Sequence, residues 1–140
     1  MMRIASLNDF EILSKYDKHI SQQELKNIIL LNRVYIIEEN EKFIGWLRYN
    51  LFWDNTPFMN MLYLLENSRG KGFGKQAVEY WEQQMKLLNY KIVMTSTASN
   101  EYAQHFYNKL GYSAIGGFLL GEDPFEIILS KNLQADKGTQ

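Results

Sequence analysis

The sequence predicts a mixed α/β fold, with a central mixed sheet of about six to seven strands flanked by about four helices. Three observations carry this. The run Phe58 to Leu65, FMNMLYLL, is mostly apolar and free of charge, the pattern of a strand covered on both faces in the middle of a sheet. Beyond a glycine-rich stretch, Phe73, Ala77, Trp81, Met85 and Leu88 recur every three or four residues. They mark a helix of about four turns whose apolar stripe packs on that sheet. Lys91 to Ser96 is then another short strand. The middle of the chain therefore reads strand, loop, helix, strand, a crossover unit with parallel strands.

The other elements follow in order. Arg3 to Ala5 forms a short first strand, and Leu7, Phe10, Leu13 and Tyr16 come next at helical spacing, with Asn8 and Asp9 near the start of that helix. Ser21-Gln22-Gln23-Glu24 is a capping box opening a second helix with Leu25, Ile28 and Ile29 on its apolar face. Arg33 to Glu38 and Lys42 to Asn50, separated by Glu39-Asn40-Glu41, read as a β-hairpin, and Pro57 limits where the next strand begins. Asn89 stops the long helix. Asn100 caps a further one, with Ala103, Phe106, Tyr107 and Leu110 on one side and Gly111 as its stop. Tyr112 to Leu120 and Phe125 to Leu129 finish as an antiparallel pair, whose edge near Phe125 to Leu129 leaves a homodimer open. Residues 1–133 are expected to form one domain, and 134–140, with little to bury, to fray.

Composition narrows the function classes. The charge is nearly balanced, 15 Lys+Arg against 16 Asp+Glu, which gives no support to a nucleic-acid binder driven by global phosphate attraction. There is no cysteine, so disulfides, thiolate metal sites and a cysteine nucleophile are excluded. The N-terminus, MMRIASLNDFE, lacks an apolar signal core, and no apolar run approaches the roughly 20 residues that cross a bilayer, so a cytoplasmic protein without a membrane partner is expected. His19 and His105 have no partner at metal-ligand spacing, and no metal is expected. The six methionines are dispersed and read as core filler.

The stretch Ser68 to Gln76, SRGKGFGKQ, lies between a buried strand and a helix N-terminus, where unpaired backbone N–H groups and the helix dipole favour an anion. Glycines let the backbone approach phosphate oxygens, and Arg69, Lys71 and Lys75 add full charges. A turn that binds nothing is the alternative. A P-loop is disfavoured, because position 69 is Arg rather than Gly and Gln76 follows Lys75 where a hydroxyl is needed. A dinucleotide fingerprint is disfavoured because Gly70, Gly72 and Gly74 are spaced G-x-G-x-G.

What fits is [RQ]-x-x-G-x-[GA], here Arg69-x-x-Gly72-x-Gly74. This resembles the pyrophosphate-binding signature of the GNAT superfamily of acetyl-CoA-dependent N-acetyltransferases. Asn100 to Tyr112, NEYAQHFYNKLGY, resembles the second signature of that family, N-x-x-A-x-x-F-Y-x-K-x-G-[FY], at every fixed position. The resemblance runs through nearly the whole chain in element order and, in motif detail, from Phe58 to Tyr112.

The resemblance implies an acyl-CoA N-acyltransferase fold and acetyl-CoA as co-substrate. It implies that the backbone of Gly70, Lys71, Gly72, Phe73, Gly74 and Lys75, with Arg69, holds the pyrophosphate. The backbone of Leu64 and Leu65 would pair with the pantetheine arm, and an N–H there would polarise the thioester carbonyl. Asn100 would bond the pantetheine arm as well as cap its helix. Tyr107 would protonate the departing thiolate, against a plain core role beside Ala103 and Phe106. The acceptor would be a primary amine of a small molecule or peptide attacking directly, since no cysteine can carry the acyl group. Phe58 to Leu65 lacks the glutamate that some members use as base; Asp54, Glu122 and Asp123 are the loop candidates, each also readable as a solvated turn residue. Trp53 or Tyr49 could contact the acceptor, against sheet packing. A non-catalytic acyl-CoA-binding module on the same fold is the competing reading.

Overall fold

A computed structural model describes residues 1–134, so the fraying expected of the tail falls, apart from Gln134 in a turn, outside the described residues. Seven strands form one sheet in the order β1-β2-β3-β4-β5-β7-β6. They are β1 Met2–Ile4, β2 Val34–Glu39, β3 Lys42–Phe52, β4 Thr56–Leu64, β5 Ile92–Ala98, β6 Ser113–Phe118 and β7 Glu126–Asn132. Four helices accompany them, α1 Phe10–Tyr16, α2 Gln22–Leu30, α3 Phe73–Leu87 and α4 Ala103–Lys109. The expected mixed α/β class holds. β4 and β5 run parallel through Phe58↔Met94 and Met59↔Thr95, as the crossover required. The chain divides into two compact units, Met1–Asn50 with Met61–Tyr80, and Leu51–Asn60 with residue 81 onward.

In the first unit, Leu13, Leu25, Ile28, Ile29, Val34, Ile36 and Trp46 form the core, which the apolar faces of α1 and α2 and the inner face of β2 and β3 supply. The first helix begins earlier than Asn8 and Asp9 suggested. Ser6 is its N-cap, in a 3₁₀ turn (Leu7–Asp9) leading into α1, and Asp9 Oδ2 accepts from Ser6 N–H at 2.8 Å to complete a capping box. Arg3 grips the same carboxylate with two bonds of 3.0 and 2.9 Å. Ser21 Oγ accepts from Glu24 N–H at 3.1 Å, the serine half of the capping box expected at the start of α2; the reciprocal bond from Ser21 N–H to the Glu24 carboxylate does not form. The hairpin turn is Asn40-Glu41, at φ 53° and 65°, the left-handed pair that matches the twist of a two-residue loop.

In the second unit, β7 lies between β5 and β6, antiparallel to both. The edge expected at Phe125 to Leu129 is therefore internal, and the edge strand of this unit is β6. The reason is that Glu126–Asn132 bonds to β5 on its other side, which the pairing of the last two strands alone does not reveal. Pro57 sits inside β4, one residue after its start, where a missing N–H costs little. β4 is not covered on both faces throughout, because Asn60 and Tyr63 are exposed. Leu88, expected on the buried stripe of α3, is also exposed. α3 ends at Asn89 (φ 71°), with Tyr90 N–H reaching back to Met85 O at 3.0 Å. α4 ends the same way at Gly111 (φ 98°), where Tyr112 N–H bonds Tyr107 O at 3.0 Å. Asn100 does not cap α4, which begins at Ala103 behind Tyr102 and has no side-chain cap bond. Asn100 sits instead in the exposed turn before it.

Candidate functional site

In the first unit the glycine loop joins the end of β4 to α3. Gly70 and Gly72 hold φ values of 75° and 89°, where an L side chain is strained, and a Cβ at either position meets nothing within 4 Å. Both glycines are therefore needed for backbone conformation and leave open space outside it. Gln76 N–H bonds Gly72 O at 3.1 Å, the first turn of α3. By helix geometry the N–H groups of Phe73, Gly74 and Lys75 are left without intrahelical acceptors and aim outward along the axis. Lys71 and Lys75 are exposed beside them. Such an array suits a diphosphate.

Arg69 has a more specific place than a loose cation. Its Nε donates to Leu64 O at 2.8 Å, and its guanidinium lies 5.0 Å over the Tyr63 ring, fastening the loop to the end of β4. Leu65 N–H donates to Ile44 O at 2.8 Å, and Leu65 O accepts from Ser68 N–H at 2.9 Å. Leu64 O and both backbone groups of Leu65 thus already carry internal bonds. Behind this strand end, Tyr63 stacks on Trp46 (5.0 Å), Trp46 on Phe43 (6.1 Å) and Phe43 on Tyr16 (5.5 Å). Gly45 makes the approach of β3 to Tyr63 O feasible, since any Cβ there would run into that oxygen. Tyr49 is buried in this unit.

In the second unit Tyr107 is buried on α4, and its ring meets Phe106 and Tyr112 edge-on at 5.0 and 5.6 Å. Burial pushes its phenol up to about 12, a rise that a hydrogen bond with Thr95 partly offsets. Thr95 is the last β5 partner of β4, and its Oγ1 donates to Met59 O at 2.9 Å. The phenol is thus held protonated at neutral pH beside the last paired residues of the parallel ladder. Trp53, 79% exposed, and Asp54 form the turn after β3 in left-handed conformations, φ 55° and 66°. Glu122 and Asp123 are exposed in the loop before β7.

The acetyltransferase (GNAT) family model matches residues 4–112, a span that includes the loop, Asn100 and Tyr107. The chain belongs to the GNAT acetyltransferase family.

Solved GNAT-type structures align along nearly its whole length. A GNAT-family acetyltransferase from Bacillus cereus is 22% identical, with 94% of this chain and 96% of that one covered and a TM-score of 0.75. The PaiA N-acetyltransferase of Thermoplasma acidophilum, solved with coenzyme A, is 19% identical over 94% and 98%, with a TM-score of 0.76. The spermidine/spermine N-acetyltransferase SpeG of Vibrio cholerae is 14% identical over 100% and 96%, with a TM-score of 0.80. At these identities the likeness is one of fold.

Within this GNAT chain, sequence reasoning missed Thr95 beside Tyr107, the Arg69 to Leu64 fastening, and Glu82, a buried carboxylate on α3. Only Arg69 was signalled in the sequence, by its place in the loop motif, and there for a different task. Among the described residues no group of three His, Cys, Asp or Glu side chains could hold a metal ion, and no helix is long and apolar enough to cross a membrane.

Proposed function

We propose that this GNAT protein moves an acetyl group from acetyl-CoA to a primary amine by direct attack, with Tyr107 as general acid. The observation that carries the reading is the buried Tyr107 phenol, pushed up to about 12 beside Thr95. A group so placed is fully protonated at neutral pH and can give its proton to a leaving thiolate. It is a weak acid on its own, so its proton moves as the carbon–sulfur bond breaks, and the phenolate then recovers one from the acylated nitrogen.

The residues of the loop fit the donor substrate. The N–H groups of Gly70 to Lys75 and the charges of Lys71 and Lys75 bind its pyrophosphate, and Gly70 and Gly72 leave the open space that a phosphate oxygen needs. Arg69 fixes the loop and directs what remains of its fork outward. The Leu64 N–H polarises the thioester carbonyl, a contact worth about 3 kcal/mol when well aimed. Asn100, exposed in its turn, bonds the pantetheine arm. The acceptor is a small amine or a peptide, the first being the class named for the spermidine/spermine enzyme of the same fold.

Thermal unfolding with added ligands tests the donor. Acetyl-CoA and CoA should stabilise the protein by about 2.7 kcal/mol at a hundredfold excess over Kd, and ATP or NAD should not. Equal effects from all four, or none, would sink the assignment. Release of free thiol from acetyl-CoA over a panel of amines then tests transfer, with no background from protein cysteine.

A further inference from the structure

The reaction needs a group to take the proton from the incoming ammonium, and β4 carries no carboxylate to do so. The strands of the second unit offer one. Ser96 and Thr95 are consecutive on β5, so their side chains leave the sheet on opposite faces. Thr95 belongs to the face that carries Tyr107, together with Leu129 and Lys131 of β7, the latter bonded to Glu82 of α3. Ser96 belongs to the other face. There its Oγ donates to Glu126 Oε2 at 2.7 Å, across the pairing of Ala98 with Glu126.

On that face β5 also carries Ile92, Met94 and Ala98, β7 carries Ile128, Ser130 and Asn132, β6 carries Ser113, Gly116 and Phe118, and β4 carries Phe58 opposite Met94. Glu126 is the one acidic residue on this face of β5, β7 and β6, and no basic residue stands there. It is half-buried, and its Oε2 is already fixed by Ser96, which leaves Oε1 to accept. It lies three residues along the sheet from the level at which the parallel ladder holds its last pair, Met59↔Thr95. A carboxylate fixed by a hydroxyl, otherwise among apolar and neutral side chains, is built to meet a single cation.

We propose that Glu126, positioned by Ser96, is the general base that deprotonates the acceptor ammonium. The proposal rests on the acetyl-transfer reading above. Glu126 takes one proton from the ammonium and the nitrogen lone pair attacks the thioester carbon. The carbon–sulfur bond breaks with its electron pair on sulfur, which takes the Tyr107 proton. The acylated nitrogen returns a proton to the Tyr107 phenolate, and Glu126 releases its own to water. The products are the amide, the CoA thiol and one proton. Acid and base then act from opposite faces of the same strand, Tyr107 on the Thr95 side and Glu126 on the Ser96 side. This geometry separates the site of proton uptake from the site of thiolate protonation.

The test compares two kinds of acceptor with acetyl-CoA. Hydroxylamine is already neutral at neutral pH, whereas propylamine, spermidine and a peptide with a free N-terminus enter as ammonium ions. Glu126→Gln keeps an oxygen for Ser96 and should retain the fold, acetyl-CoA affinity and the hydroxylamine rate within a few-fold. Its kcat/KM with the ammonium acceptors should fall about a hundredfold or more. Ser96→Ala, which frees the carboxylate to turn, should lower the same ratio by a smaller factor. Equal losses with both kinds of acceptor, or no loss with either, overturn the assignment. So does a wild-type protein that acetylates hydroxylamine but none of the ammonium acceptors. If the wild type accelerates neither, the acetyl-transfer reading fails instead.

Discussion

Tyr112 donates its hydroxyl to Glu82 Oε2 at 2.7 Å, inside the second unit, while Lys131 Nζ donates to Oε1 of the same carboxylate at 2.9 Å. Glu82 sits on α3 between Trp81 and Met85, both fully buried. Its charge is tolerable there because both oxygens are bonded. Glu82→Ala should destabilise the protein by about 3 kcal/mol, since it strands the Tyr112 hydroxyl and the Lys131 ammonium together. Chemical denaturation followed by circular dichroism measures this, and a loss below about 1 kcal/mol would show that the network carries little stability.

The buried phenols predict an alkaline limit. Burial first, and then the Glu82 charge, raise the Tyr112 phenol far above its usual range, and burial raises Tyr35 and Tyr107 as well. For groups whose folded values lie above the unfolded value, the stabilisation is complete below the unfolded pKa of about 10 and is lost as pH rises through the folded values. Unfolding free energy should therefore draw no pH dependence from these tyrosines between pH 7 and 9, and should fall steeply above about pH 10. Tyr112→Phe should flatten that fall; an unchanged slope would mean that Tyr112 does not contribute to it.

Tyr107→Phe should lower kcat by about a hundredfold or more while leaving acetyl-CoA affinity within a few-fold, because the ring stays and only the proton donor goes. Isothermal titration and steady-state kinetics separate the two quantities. A parallel loss of affinity would return Tyr107 to a packing role.

Gly72→Ala should cost roughly 1 kcal/mol in stability, from the left-handed backbone alone, since the added methyl meets open space. If the loop holds a diphosphate, CoA affinity should fall by more than the stability loss explains, because the methyl occupies the space that a phosphate oxygen needs. Gly70→Ala provides the same comparison at the neighbouring glycine.

The turn at Trp53-Asp54 holds two non-glycine residues at positive φ. Asn55 N–H bonds Phe52 O at 3.2 Å across it, the geometry for which an asparagine followed by a glycine is best suited. The double substitution Trp53→Asn with Asp54→Gly should stabilise the protein by about 0.5 to 1 kcal/mol. A lower melting temperature would mean that the tilted ring contact of Trp53 with Phe52, at 4.9 Å, outweighs the strain.

Elements with a local signature were legible before any coordinates. The capping serine at Ser21, the stop at Asn89, the apolar stripe through Ala77, Trp81 and Met85, and a hairpin connection within Glu39-Asn40-Glu41 each depend on neighbours within a few residues. Of the expectations that failed, one gave way to a competing local turn and another to tertiary packing. Asn100 looked like a cap because it precedes an apolar period, but the chain first makes a turn in which Glu101 N–H bonds Ala98 O at 3.0 Å, and α4 starts later. Phe58 to Leu65 looked fully buried because it is apolar, although the coverage of a strand depends on what packs over each face, and Asn60 and Tyr63 are left exposed.

The sequence by itself determined the fold class, the crossover unit and the glycine loop, because periodicity, turn chemistry and motif spacing act over short distances along the chain. It also marked Tyr107 through the motif around it. Only the tertiary structure decided that β7 runs inside the sheet, that Arg69 is fastened to Leu64 O, and that Glu82 is buried with Tyr112. It alone brought Ser96 against Glu126, which is 30 residues away in the chain. Those pairings are set by strand order and register, and a hydrogen bond between two strands leaves no periodic trace in either one.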